Sequence, residues 1–331
     1  MSGTGPLLSV QNLRVEFPTR RGLLVAVDDV SFELKRGEVL GLVGESGAGK
    51  SMTGNAIIGL LEPPGRIGAG EIHLNGQRID NLSADRMRTI RGKKIGMVFQ
   101  DPLTSLNPLY TVGRQLTETI LTHLDVSSLE AEQRALDLLL QVGIPAAEQR
   151  MTSYPHQFSG GMRQRVVIAL ALSAEPELVI ADEPTTALDV SVQAQIIALL
   201  KRLCAERGTS VILVTHDMGV IAETADRVAV MYAGRLAEIG PVRDVIQQAR
   251  HPYTLGLMGS IPSLEGDRSK RLTQIDGSMP RLNAIPAGCA FNPRCPEVGP
   301  RCLRERPTPI PAGTGLAACW RYDAGGTEAS V

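Results

Sequence analysis

An α/β fold built on a parallel sheet with a phosphate-binding loop is predicted by three features of this sequence. Residues 44–51 read Gly-Glu-Ser-Gly-Ala-Gly-Lys-Ser and follow directly on an apolar run at residues 39–43. A second apolar run, residues 178–181, ends in Asp182 and Glu183. Around these runs, strand-like and helix-like periodicities alternate, which is the rhythm of βαβ units.

Taken in order, residues 7–43 alternate short apolar segments with turns and predict strands over 8–17, 31–34 and 39–43, the last opening into the glycine-rich loop. Residues 71–75 and 95–99 predict two more strands, with Asn75-Gly76 as a turn. From residue 101 to about 174 the period becomes helical, and helices are predicted over 112–123, 129–142 and 160–173 as an all-helical insert. Strands return at 178–181 and 211–215, separated by a helix over 190–206. Past about residue 251 the composition turns to Pro, Gly, Arg and Cys. So many prolines leave little room for regular elements or a conventional core, and something other than burial is expected to hold this tail.

The 331 residues suffice for a large core, and 43% hydrophobic with 21% charged is ordinary for a soluble globular chain. A net charge of −1 gives no overall field to gather nucleic acid or an anionic membrane. The longest apolar run, residues 166–172, falls far short of the roughly 20 residues that span a bilayer. The N-terminus shows no basic segment followed by an apolar stretch, so a cytoplasmic chain is expected. Aromatics make up 3%, so the core must be mainly aliphatic.

The chemistry follows from the motifs. In Gly44, Glu45, Ser46, Gly47, Ala48, Gly49, Lys50 and Ser51, the glycines let the backbone curl so that N–H groups face phosphate oxygens, and the next helix presents its positive end. Lys50 is expected to reach the β and γ phosphates and Ser51 to ligate Mg²⁺. A plain flexible turn is the bland alternative, weakened by the preceding strand. Asp182 and Glu183 fall at the carboxyl edge of the sheet, Asp182 suited to the Mg²⁺ shell and Glu183 to orienting or deprotonating water. Alone, such a pair is equally at home at a helix N-terminus. Gln100 and His216 each end a strand, where a lone polar residue is usually structural, yet both fall on the edge that would hold the γ-phosphate.

These segments together resemble the ATP-binding subunit of an ABC transporter. The order of motifs over residues 7 to about 250 is the family's: glycine-rich loop, Gln100, the Ser159-Gly160-Gly161 signature, Asp182-Glu183, the Ala187-Leu188-Asp189 turn and His216. The resemblance implies a RecA-like core with an antiparallel β subdomain and a helical subdomain at about 101–174, the whole ATPase domain spanning 1–250. It implies that Phe17 stacks on adenine, that Met52 joins residues 44–51 in binding ATP, that Gln100 joins Ser51 and Asp182 at Mg²⁺, and that Gln100, Glu183 and His216 serve hydrolysis. It further implies that Ser159, Gly160, Gly161 and Met162 act on ATP bound by a partner subunit, with Asp189 in the connecting turn. Met162 stands where the family more often carries Gln.

The segment at residues 100–108, with His251-Pro252-Tyr253-Thr254 and the Cys-rich tail, resembles the peptide and nickel transporter ATPases in particular. That implies a second, non-identical ATPase subunit, two membrane permease subunits meeting the helical insert, a substrate-binding protein across the membrane, and a peripheral place on the cytoplasmic face. Di- and oligopeptides are the expected cargo, with nickel chelates or glutathione-like molecules as alternatives. A soluble ABC protein acting on DNA or ribosomes is the reading from another class; such proteins typically carry two cassettes, coiled coils or basic arms, and none is evident here.

Residues 251–331 form the expected C-terminal extension, containing Cys289, Cys295, Cys302 and Cys319. The spacing lacks the close Cys-x2-Cys pair of zinc ribbons, and disulfides do not suit a reducing cytosol. Four thiolates suit a [4Fe-4S] cluster, which the resemblance also implies at this place, with Zn²⁺ as the alternative and four free thiols as the bland reading.

Overall fold

The computed structural model describes residues 5–20, 22–185, 189–260 and 274–323. Twelve strands are found among them: β1 (Leu8–Thr19), β2 (Gly22–Leu34), β3 (Val39–Val43), β4 (Arg66–Leu74), β5 (Gln77–Arg78), β6 (Ile95–Val98), β7 (Leu178–Asp182), β8 (Ser210–Thr215), β9 (Arg227–Tyr232), β10 (Arg235–Pro241), β11 (Ile310–Ala312) and β12 (Gly315–Ala317). They form an antiparallel sheet in the order β2-β1-β4-β5 and a larger sheet in the order β11-β12-β10-β9-β3-β8-β7-β6. Within the larger sheet β6, β7, β8, β3 and β9 run parallel.

The parallel strands are apolar along their length because both faces are covered. Every residue of β7 and of β8 is buried. Alternation decides which cover each side chain meets. Leu178, Ile180, Ile212 and Val214 face the four-stranded sheet and the helix Lys50–Ile58, sharing a core with Val15, Val27 and Ile57. Val179, Ala181, Val211 and Leu213 face the other way, into a core shared with the inserted helices and the helix Val190–Arg207. The glycine-rich loop and the acidic pair therefore leave a sheet fixed on both sides.

The insert is helical as its periodicity predicts. Helix Val112–His123 buries Val112, Leu116 and Ile120 one above another and is capped by the Thr111 side chain. Helix Ser128–Gln141 is capped by Ser127 and buries Ala131, Ala135, Leu138 and Leu139. No helix among the described residues is long and apolar enough to cross a membrane.

The tail departs from expectation. Its residues add β12 to β10, with Ile239 opposite Leu316, and then add β11 at the edge of the main sheet. Pro311 lies on that edge strand, where a missing N–H leaves no inner ladder bond unmade. Phe291 is 2% exposed and meets Tyr232 and Tyr253 edge-on or tilted, with centroids 5.1 and 5.4 Å away. Burial and sheet pairing thus hold the segment that the proline count marked as irregular.

The expected [4Fe-4S] cluster, with zinc as its alternative, is corrected on the same ground. Among the described residues no group of three or more His, Cys, Asp or Glu is arranged to hold a metal ion. Cys289, Cys295, Cys302 and Cys319 are free thiols. Burial pushes the Cys289 thiol up to about 11 and raises those of Cys295 and Cys319. The staple demanded of a metal is supplied by Phe291 and by the added strands.

Candidate active site

The loop at residues 44–51 depends on glycine at two places in particular. A Cβ on Gly44 (φ 150°) would stand 2.3 Å from the Met231 carbonyl oxygen, and one on Gly49 (φ 101°) would stand 2.9 Å from that of Ala26. Gly49 is also the N-cap of helix Lys50–Ile58, with no side-chain cap and no acidic residue in the first turn. Helices Val112–His123, Ser128–Gln141, Gly160–Leu172 and Val190–Arg207 all begin with a side-chain cap. The uncapped N–H groups of this one are left to an anion, which the helix dipole also favours.

Lys50 is 6% exposed, and its Nζ donates to the Gly44 and Glu45 carbonyl oxygens at 2.8 and 3.1 Å. Burial lowers its pKa, while the charges of Glu183, Asp182 and Glu45 pull it back up. Ser51 Oγ donates to Asp182 Oδ1 at 2.9 Å. Asp182 is 7% exposed, and burial pushes its carboxyl up, helped by the Glu183 charge and opposed by the Ser51 hydrogen bond and Lys50. A buried carboxylate beside a hydroxyl, at the mouth of a phosphate loop, is a donor set of oxygens that fits Mg²⁺ shared with nucleotide phosphates.

Glu183 follows directly on β7 with φ 44°, in the left-handed region that non-glycine residues enter at a cost of about 1–3 kcal/mol. Its N–H donates to the Val214 carbonyl at 2.9 Å, so the neighbouring strand holds the turn. The turn aims the carboxylate between two side chains from two other strands. Gln100 Nε2 donates to Glu183 Oε2 at 3.1 Å, and His216 Nδ1 lies 3.4 Å from Glu183 Oε1. Gln100, Glu183 and His216 thus converge at the carboxyl edge, as their positions after β6, β7 and β8 predict. Gln100 meets Glu183, and no hydrogen bond among the described residues joins it to Ser51 or Asp182.

The remaining predicted residues sit apart. Ser159 caps helix Gly160–Leu172 through the Met162 N–H at 3.3 Å, and Ser159 and Gly160 are exposed. Among the described residues no hydrogen bond joins 159–162 to 44–52. Asp189 caps helix Val190–Arg207 through the Val192 N–H at 2.9 Å; Ala187 and Leu188 lie outside the described residues. Phe17 lies near the end of β1 opposite Leu24, half-buried beside Gly65. Met52 packs against the core beneath the four-stranded sheet.

One pair at the loop escapes sequence reasoning: Arg294, from the tail, grips Glu45 at 2.7 and 2.9 Å. The residues are 249 apart. The only signal is indirect, since several of the scarce aromatics, Tyr232, Tyr253 and Phe291, flank the contact.

A phosphate loop, a half-buried hydroxyl beside a buried carboxylate that fit Mg²⁺, and a braced glutamate at one sheet edge define an ATP-hydrolysing cassette. Comparison with known proteins agrees. Residues 27–186 match the ABC transporter family, and residues 237–302 match the oligopeptide/dipeptide transporter C-terminal region. The solved ATP-binding cassette MJ0796, a dimer in a post-hydrolysis state bound to ADP and Pi, superposes with TM-score 0.64 at 31% identity, covering 71% of this chain and 99% of that one. The dipeptide transport ATP-binding protein DppD of Bacillus subtilis (strain 168) is 50% identical over 96% of this chain and 95% of its own. The oligopeptide transport ATP-binding protein OppD of Salmonella typhimurium is 49% identical over 95% and 93%. The chain belongs to the family of ABC transporter ATPases that serve dipeptide and oligopeptide transport.

Proposed function

We propose that this chain hydrolyses ATP to drive import of di- and oligopeptides through a membrane complex, working at its cytoplasmic face. The observation that carries the reading is the meeting of Ser51 with Asp182 and of Gln100 and His216 with Glu183 at the mouth of one phosphate loop. The names of the relatives, dipeptide and oligopeptide transport proteins, support peptides as cargo over nickel chelates or glutathione-like molecules. They likewise support permease subunits and a substrate-binding protein as partners.

In this reading residues 1–250 are the ATPase domain, with the insert at about 101–174 turned to the permeases, and residues 251–331 are an extension. The backbone N–H groups of residues 44–51 take the phosphates, Lys50 spans the β and γ groups, and Phe17 offers its ring to adenine. Ser51 and Asp182 would hold Mg²⁺, which would supply positive charge to the phosphate oxygens while the bond from the γ phosphorus to the bridging oxygen breaks. Glu183 orients water for in-line attack and accepts its proton, and Gln100 and His216 hold the carboxylate in place.

Ser159 and Gly160 are exposed, and among the described residues no hydrogen bond joins residues 159–162 to the chain's own loop, which supports Ser159, Gly160, Gly161 and Met162 closing over the ATP of a second ATPase, with Asp189 at the same junction. The dimer of the MJ0796 cassette supports such a pairing. A non-identical second ATPase subunit is the partner proposed here. Reconstitution of the chain with its permeases and a second ATPase in liposomes tests the reading: labelled dipeptide supplied outside with a substrate-binding protein should enter only vesicles loaded with ATP and Mg²⁺. Uptake that proceeds equally without ATP would refute it.

A further inference from the structure

Glu45 is the second residue of the phosphate loop, yet the far end of the chain holds it. Arg294 Nη1 donates to Glu45 Oε2 at 2.7 Å and Nη2 donates to Oε1 at 2.9 Å, a two-pronged contact that fixes orientation as well as charge. The Arg294 side chain is 6% exposed. Its Nε donates to the Asp276 carbonyl at 2.8 Å, and Nη2 reaches the Ile275 carbonyl at 3.3 Å, so the fork is itself held from behind. The Glu45 N–H donates to the Tyr253 hydroxyl at 2.9 Å. The Glu45 carbonyl accepts from Lys50 Nζ, so any shift of Glu45 moves an anchor of Lys50. The same tail segment comes beside Gly47, where a Cβ would stand 3.9 Å from Met279 Cγ.

We propose that Arg294 is a positioning residue for the nucleotide site: it neutralises and orients Glu45 so that the phosphate loop accepts a triphosphate. The inference rests on the ATPase reading above. A carboxylate left unpaired in that loop would face three or more negative charges on the incoming ligand, at a partly buried site where charges are screened less than in water. Paired in a fork, it instead holds the backbone that carries the phosphate-binding N–H groups. The tail thereby sets ATP affinity without contributing a group that touches the nucleotide. A contact that merely docks the tail would not place its effect on nucleotide affinity, nor let a second change at Glu45 undo it.

The test uses the full chain titrated with a fluorescent ATP analogue in Mg²⁺, and KM and kcat of the assembled complex. Arg294→Ala should raise Kd and KM at least tenfold and leave kcat within about twofold. Adding Glu45→Gln to that chain should recover most of the lost affinity, because the repelling charge is gone. Arg294→Lys, which keeps the charge and loses the fork, should fall between. Wild-type chain that binds no nucleotide would overturn the ATPase reading itself. Wild-type binding with Kd unchanged in Arg294→Ala, or a loss that Glu45→Gln does not restore, would overturn the role of Arg294 alone. Should Arg294→Ala fail to fold, Arg294→Lys decides: an intermediate Kd supports the role and a wild-type Kd overturns it.

Discussion

Ser51 Oγ donates to Asp182 Oδ1 across 2.9 Å, joining the first turn of the helix after β3 to the end of β7 although 131 residues separate them. The bond ties the phosphate loop to the acidic edge before any nucleotide binds. Burial disfavours the charged form of the Asp182 carboxyl, so a cation beside it is favoured at this place. Ser51→Ala should therefore raise the Mg²⁺ concentration needed for half-maximal ATPase activity by about tenfold or more, the scale expected when a ligand loses its orienting partner. A Mg²⁺ titration of the assembled complex checks this, and an unshifted midpoint would contradict it.

Lys50 has a different failure. It donates to two loop carbonyls from a buried position, so it braces the loop, and in the proposed function its charge also meets the phosphates. Lys50→Ala should weaken nucleotide binding itself by about ten- to a hundredfold, the range for losing hydrogen bonds to a charged group. Equilibrium titration with a fluorescent nucleotide reads it directly.

Phe291 carries the account of the tail. It is buried between Tyr232, Tyr253 and His251, and truncation of such a side chain costs about 3–5 kcal/mol. Phe291→Ala should lower the urea unfolding free energy by that amount. A change near zero would mean that something other than burial holds residues 274–323.

A pH dependence follows from His251. Its Nδ1 accepts from the Tyr253 N–H at 3.0 Å, and burial depresses its pKa to about 4. Folding keeps the ring neutral, whereas the unfolded chain takes up a proton below about 6.5. The stability it contributes is present above about 6.5 and is lost as pH falls toward 4, by about 3 kcal/mol. Burial raises the nearby Glu238 carboxyl, which acts in the opposite sense, so the comparison is with His251→Asn, whose side chain can still cap the helix. The difference in unfolding free energy between wild type and variant should shrink as pH falls from 6.5 to 4. A constant difference would contradict the assignment.

Much of this was legible in the sequence because the signals are local. The helix predicted over 112–123 is found at Val112–His123, and the strand predicted over 39–43 is β3. Gln100, Glu183 and His216 were placed on one edge by the parallel order alone, since each follows a strand that ends there. The rest is non-local. Strand β10 returns antiparallel beside β9 without a distinct pattern, and β11 and β12 hide among prolines because edge pairing asks little of sequence. The left-handed backbone of Glu183 is imposed by its bond to Val214, which residue type does not announce. The grip of Arg294 on Glu45 joins segments 249 residues apart and leaves no periodic trace.

In the proposed function Glu183 is the group that readies water. Glu183→Gln keeps the size and the hydrogen bonding of the side chain but removes the charge that accepts a proton. In the complete transport complex, the steady-state ATPase rate of Glu183→Gln should fall by about 10²–10⁴, while nucleotide Kd stays within about twofold. An ATPase rate that survives the substitution would contradict the role given to Glu183.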